Sequence, residues 1–206
     1  MKYTFCFVIL LAVKCLFAWD TIGEMETDLC KALGDNNYLL SVAFSNKLSL
    51  ATNSSSVEMK TEAYIISSII SYQKFLDTVN VDFLRQELLN ASNAVVSIGY
   101  HTNSWQYWMS RFIYASAHIS NQNFAFSYAI LTNAIDDIII QGYTNDVTTV
   151  EAAILKRCEL TNLNVTSAMK VFAGLSAAQL GMGCVATNFA NQVPADYKVK
   201  MLEFMK

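Results

Sequence analysis

Residues 124–142 read FAFSYAILTNAIDDIIIQG. Within them Phe124, Tyr128, Leu131, Ile135 and Ile138 recur every three or four positions, which stacks side chains on one face of a helix with 3.6 residues per turn. Gly142 closes the run, where a residue free to adopt positive φ ends a helix well. The alternation that a half-buried strand needs is absent. Asp136 and Asp137 read as a solvated face, because adjacent helical residues diverge by about 100° and do not converge on one metal. The stretch predicts an amphipathic helix in an all-α protein.

The same period extends in both directions. Upstream, Ile22, Met25, Leu29 and Leu33 form a stripe ended by Gly34, and Leu40, Phe44 and Leu48 mark a second helix. Ser55 and Glu58 make a capping box for a third, whose core face is Ile65, Ile69, Tyr72 and Leu76, with Ile66 and Ile70 beside it. Leu84, Leu88, Ala91, Val95 and Ile98 line a fourth, ending near Gly99, and a further helix runs from Trp105 to Ser116. Downstream, Thr148 and Glu151 cap a helix carrying Val150, Ile154 and Cys158 on one face. Val171, Leu175, Ala178, Met182 and Val185 line the last long helix, and a short one follows Pro194. Gly181-Met182-Gly183 has no strand before it, so with Gly174, Ala177 and Ala178 it reads as a small-residue packing face rather than a phosphate loop. Connections are short and no linker or repeat interrupts them. The chain is expected to be all-α, a single-domain bundle of about eight helices with mostly antiparallel neighbours.

Composition narrows the setting. Of 206 residues, 53% are hydrophobic and only 15% charged, against roughly 25% charged in ordinary soluble domains. This excludes a disordered tail, a low-complexity fibre and a nucleic-acid binder resting on a basic surface. Lys2, the apolar run Tyr3 to Val13 and Leu16-Phe17-Ala18 read as a signal peptide over residues 1–18, leaving 19–206 as a single all-α secreted domain. An apolar core interrupted by Lys14 is shorter than the roughly 20 residues that a bilayer requires. Val171 to Ala195 is uncharged but carries Ser176, Gln179, Thr187, Asn188, Asn191 and Gln192, which are costly to desolvate. No stable membrane insertion is expected. Cleavage after Ala18 leaves 12 basic against 17 acidic side chains, which disfavours anionic partners. Asn53 and Asn164 are glycosylation candidates in an exported chain; Asn90 heads a third sequon but falls inside a predicted helix.

Cleavage would also remove Cys6 and Cys15, leaving Cys30, Cys158 and Cys184. An odd count outside the cell implies one disulfide plus a thiol that is free or joins another chain; the alternative is that all three pack as small apolar residues. If the helices bearing Cys158 and Cys184 form a straight hairpin, these two lie roughly 24 Å apart at ~1.5 Å per residue, whereas a disulfide needs Cα atoms within about 7 Å. Unless Gly181 and Gly183 break the second helix, Cys30 should belong to the bond.

Recognisable catalytic chemistry is missing. His101 and His118 stand 17 residues apart in an aromatic region without a nucleophile elbow. No Cys/His cluster has zinc spacing, and no cofactor or metal is expected. The distinctive stretch is Leu88 to Ile135, 48 residues with Arg111 as their single formal charge. It holds Tyr100, Trp105, Tyr107, Trp108, Phe112, Tyr114, Phe124, Phe126 and Tyr128. Three readings are open: a bundle core, an association surface, or an apolar ligand pocket. Asn103, Asn121, Asn123 and His118 could supply hydrogen bonds to either of the last two.

This three-cysteine, alanine- and asparagine-containing helical plan resembles the light chain of insect silk fibroin in architecture and cysteine count. No motif around Cys30, Cys158 or Cys184 is shared. The resemblance implies that one odd cysteine joins the chain to a fibrous partner, without saying which. The expected function is thus a secreted, extracellular, non-enzymatic protein of interaction or structural assembly, with a protein partner or self-association. It would act through an unpaired cysteine and an uncharged aromatic surface. The alternative is an extracellular carrier of a small apolar ligand.

Overall fold

The computed structural model describes residues 57–144 and 147–205, with residues 27, 28, 31 and 32 besides. The signal peptide, the stripe residues Ile22, Met25, Leu29 and Leu33, the Leu40 to Leu48 helix, Cys30, Asn53 and Ser55 lie outside the described residues. Eight helices are found among the described residues: α1 (Val57–Thr78), α2 (Asp82–Ile98), α3 (Trp105–Ser120), α4 (Phe124–Gln141), α5 (Thr149–Arg157), α6 (Val165–Gln179), α7 (Gly183–Ala190) and α8 (Ala195–Phe204). They pack on one another as one all-α domain with no strand among the described residues.

Local chemistry sets the helix ends. Ser104 Oγ accepts from the Tyr107 amide at the start of α3, and Asn123 Oδ1 from the Phe126 amide at the start of α4. Thr148 Oγ1 accepts from the Glu151 amide at 3.1 Å, and Glu151 Oε2 from the Thr148 amide at 3.4 Å, closing the capping box ahead of α5. Asn164 Oδ1 takes the Ser167 amide at 2.9 Å to start α6. Gly142, at φ +61°, ends α4 in the left-handed conformation.

α1 and α2 form an antiparallel hairpin: His101, just beyond α2, meets Glu58 at the start of α1 at 3.1 Å. α3 packs on α1, α2, α4 and α6, and α6 in turn on α4, α7 and α8. The core lies along α3 and α6, where Trp108, Met109, Phe112, Ala115, Ala168, Met169 and Ala173 are fully buried. Phe112 and Phe172 meet edge to face at 5.1 Å between ring centres. Buried Ser176 donates to Ser127 at 3.3 Å, joining α6 to α4.

Two elements differ from their sequence reading. The buried face of α2 is Glu87, Ala91, Ala94 and Ile98, with Leu84, Leu88 and Val95 only half-buried on its flanks. Small side chains let α2 approach α1 closely, and the leucines then seal the margins. The helix expected to run through Val171 and Val185 instead breaks at Leu180–Met182, where Gly181 takes φ +75°. α7 folds back onto α6 over Gly174, at which a Cβ atom would sit 3.1 Å from the Phe189 Cβ and collide with Met201. Of the expected small-residue face, Gly174 is thus a packing surface for α7 and α8, whereas Gly181 and Gly183 lie exposed at the break with nothing packed on them. The break removes the straight-helix separation between Cys158 and Cys184, yet both carry free thiols.

Replacing Gly174 with alanine should overpack this contact and cost about 1–3 kcal/mol. Urea unfolding should show a lower midpoint with the helical circular dichroism of the folded state unchanged. An unchanged midpoint would mean that α7 and α8 shift freely to accept the methyl group.

Candidate functional site

Where α1, α2, α3 and α6 converge beside the end of α5, they leave a cavity of about 490 Å³. That volume lies within the range of small-ligand sites, ~300–1,000 Å³. Helical spacing builds the walls. α1 contributes Ser68, Ile69, Tyr72, Gln73 and Leu76; α3 contributes Ile113, Ser116, Ile119 and Ser120; α6 contributes Phe172, Leu175, Ser176 and Gln179. Glu87 comes from α2, Phe124 from α4 and Phe204 from α8, while Arg157, Cys158 and Glu159 close the end beyond α5. Serines stand where larger residues would fill the space. Three of their hydroxyls are satisfied within the fold: Ser68 donates to the Glu87 carbonyl at 3.0 Å, Ser176 to Ser127, and Ser120 to the Ser116 carbonyl at 3.2 Å. Hydroxyls used in this way add little polarity to the space they border.

Glu87 dominates the electrostatics. It is 4% exposed, its Oε1 shares a hydrogen bond with Ser120 Oγ at 3.2 Å, and its Oε2 is buried without a hydrogen-bond partner. Desolvation disfavours the carboxylate, pushing its pKa from 4.5 up to about 8 against the smaller, opposing effect of the Ser120 hydrogen bond. Burial thus favours the protonated form of this side chain. Burial likewise pushes the Cys158 thiol up to about 12, so it borders the cavity as a thiol rather than a nucleophilic thiolate. The Tyr72 hydroxyl is raised by burial first and by the nearby Glu87 second. The walls thus combine apolar surface with neutral polar groups, and Arg157 and Glu159 bring opposite charges to one end.

Comparison of the chain with protein-family models, curated proteins and solved structures yields no match.

The aromatic stretch is divided by the fold. Tyr107, Trp108 and Phe112 enter the core; Trp105, Tyr114, Phe124 and Tyr128 are partly buried; Phe126 is half-exposed and Tyr100 stands in solvent. Of these nine, Phe124 is the one that borders the cavity among the described residues. Arg111 lies over the Tyr107 ring, 3.4 Å from its centre, and donates to the Tyr107 carbonyl. His118 is buried between Tyr114 and Phe126, and burial lowers its pKa. Asn121 donates to the Ala117 carbonyl and Asn123 caps α4, so both act locally. Asn103 borders shallow clefts beside Tyr100 and His101, away from the Glu87 cavity.

Cys184 is exposed at the start of α7, while Cys158 is half-buried beyond α5. Asn164 is exposed; Asn90 is half-buried and donates to Ser71 Oγ from within α2. Among the described residues, no three His, Cys, Asp or Glu side chains converge as a metal site, and no helix is long and apolar enough to cross a membrane. Glu87 was legible only as an acidic residue beside a leucine stripe. A better signal was the Glu-Ala-Ala-Ile series at positions 87, 91, 94 and 98, which keeps helical spacing while placing a carboxyl on the small-residue face.

A carboxyl with a raised folded pKa contributes stability that is complete below its unfolded value. For Glu87 that contribution falls away as the pH climbs from about 4.5 towards 8. Glu87→Gln keeps the shape and the Ser120 contact without the ionisation. Its melting temperature should fall less than the parent's across this window, and the variant should be the more stable above about pH 8. Glu151, also raised by burial, leaves a residual slope in both. Parallel profiles for variant and parent would show that Glu87 is not held neutral.

Proposed function

We propose that this chain is a secreted, non-enzymatic carrier that holds one small apolar ligand in the cavity between α1, α2, α3 and α6. The carrying observation is the cavity itself: about 490 Å³ of space bounded by Ile69, Ile113, Leu175, Phe172 and Phe124, with the buried Glu87 at its wall. Filling it with an apolar molecule would recover contacts that an empty cavity lacks. The internally bonded serines leave the walls largely apolar, as such sites require. The N-terminal apolar run supports export, and the neutral Cys158 suits a wall rather than a nucleophile.

Titration with the apolar fluorophore N-phenyl-1-naphthylamine should give saturable enhancement at one site per chain. Ser116→Trp would place a bulky ring in the cavity and should weaken binding ~10-fold or more, equivalent to about 1.4 kcal/mol, with helical circular dichroism retained. Linear, non-saturating enhancement, or unchanged affinity in the folded variant, would remove the carrier reading.

Assembly with a partner chain is a second reading, favoured by Cys184, an exposed free thiol, and by Tyr100, 93% exposed in the α2–α3 loop. On non-reducing electrophoresis of native material, a larger species should collapse to monomer on reduction and be absent from Cys184→Ser. A monomer band in both lanes would eliminate the thiol tether.

A further inference from the structure

The cavity has a closed end and an open end, and the residues along its walls set the distance between them. Near the start of α3, Gln106 donates to Glu62 of α1 at 3.5 Å. Further on, Phe112 of α3 meets Phe172 of α6 edge to face. α1, α3 and α6 then border the cavity through their C-terminal halves, over residues 68–76, 113–120 and 172–179. The three helices therefore run in the same direction and nearly level. Along each of them the wall opens towards the C-terminus. Ile69 and Ile113 are buried, and Phe172 rests on the fully buried Phe112. At the other end Ser120 is half-buried, and Leu76 and Gln179 are exposed. Ile69 to Leu76, Ile113 to Ser120 and Phe172 to Gln179 each advance seven residues, about 10 Å at the helical rise.

Polarity changes in the same direction. Apolar side chains close the floor. At the mouth stand the amides of Gln73 and Gln179 and the opposite charges of Arg157 and Glu159, with Leu76 and Phe204 about half-exposed beside them. The Glu87 carboxyl is bonded to Ser120, at the open end of the α3 wall.

We infer that the site takes a single-chain amphiphile, its unbranched tail reaching the floor of Ile69, Ile113 and Phe172 and its terminal polar group staying at the mouth. This rests on the carrier reading and gives the ligand a shape and an orientation. A polar group carried to the floor would find no partner among those three side chains, which is costly. With the polar group at mid-chain, neither arm spans the shaft while that group remains at the mouth.

Displacement of bound N-phenyl-1-naphthylamine tests this with butan-1-ol, hexan-1-ol, octan-1-ol and dodecan-1-ol, with octan-4-ol, and with octyl glucoside below its micelle concentration. Affinity for the 1-alkanols should rise ~4-fold per CH2 while the tail lengthens within the shaft, and level off between octan-1-ol and dodecan-1-ol. Octan-4-ol should bind ~10-fold more weakly than octan-1-ol, because fewer of its CH2 groups are buried. Octyl glucoside, whose sugar must stay outside while the tail enters, should match octan-1-ol within ~3-fold. Ile69→Phe raises the floor and should move the levelling-off to shorter chains. An unbroken rise to dodecan-1-ol, equal binding of octan-1-ol and octan-4-ol, or failure of octyl glucoside to displace the probe would each overturn the inference. So would an unchanged chain-length limit in folded Ile69→Phe, and the parent series decides even if that variant does not fold. In each of these cases saturable probe binding leaves the carrier reading standing, whereas its absence in the parent brings down both.

Discussion

Burial of α3 is the constraint around which the other helices are arranged. Tyr107, Trp108, Met109 and Ser110 are four successive buried residues, and steps of about 100° carry four residues around the whole helix circumference. A helix enclosed on every side is a core element rather than an amphipathic surface layer. α1, α2, α4 and α6 surround it, and its aromatic side chains set how closely they approach. The absence of formal charge along this segment, apart from Arg111, follows from the same requirement. Arg111 remains compatible because its guanidinium lies over the Tyr107 ring and donates to the main chain.

The cavity is a consequence of how α3 changes along its length. Its first half carries Trp108 and Phe112, which fill the space between neighbours. Its second half presents Ser116 and Ser120 towards α1 and α6. Facing serines on α1 and α6 leave the same end thinly filled, and helices already fixed by the aromatic end cannot collapse onto it. Glu87 stands at that end because α2 turns its small-residue face inward. The price of this arrangement is a buried carboxyl whose ionised form is disfavoured by desolvation.

Several features were readable because their causes are local. The α5 capping box needs only Thr148 and Glu151 three residues apart, and Gly142 ends α4 through its own backbone freedom. The stripe from Phe124 to Ile138 also survives, with Leu131, Ile135 and Ile138 buried and Phe124 at the cavity wall. The rotation of α2 was not readable, because both its leucine stripe and its Glu-Ala-Ala-Ile stripe have helical spacing. Choosing between them depends on how closely α1 approaches. Likewise, the Gly181 break can only be distinguished from a continuous helix once α7 gains a surface at Gly174. The aromatic stretch was recognisable as a unit, but its division among core, margin and solvent was not.

By itself, then, the sequence determined that the chain is helical, where most helices begin and end, and that an uncharged aromatic segment lies at its centre. These follow from backbone propensity, capping and periodicity, which act over a few residues. Only the tertiary structure decided which stripe of α2 faces inward, that α7 folds back, and that Glu87 borders a cavity with one carboxyl oxygen buried and unpartnered. Those outcomes depend on the volume left between helices distant in sequence and on desolvation within it, quantities that no local spacing specifies.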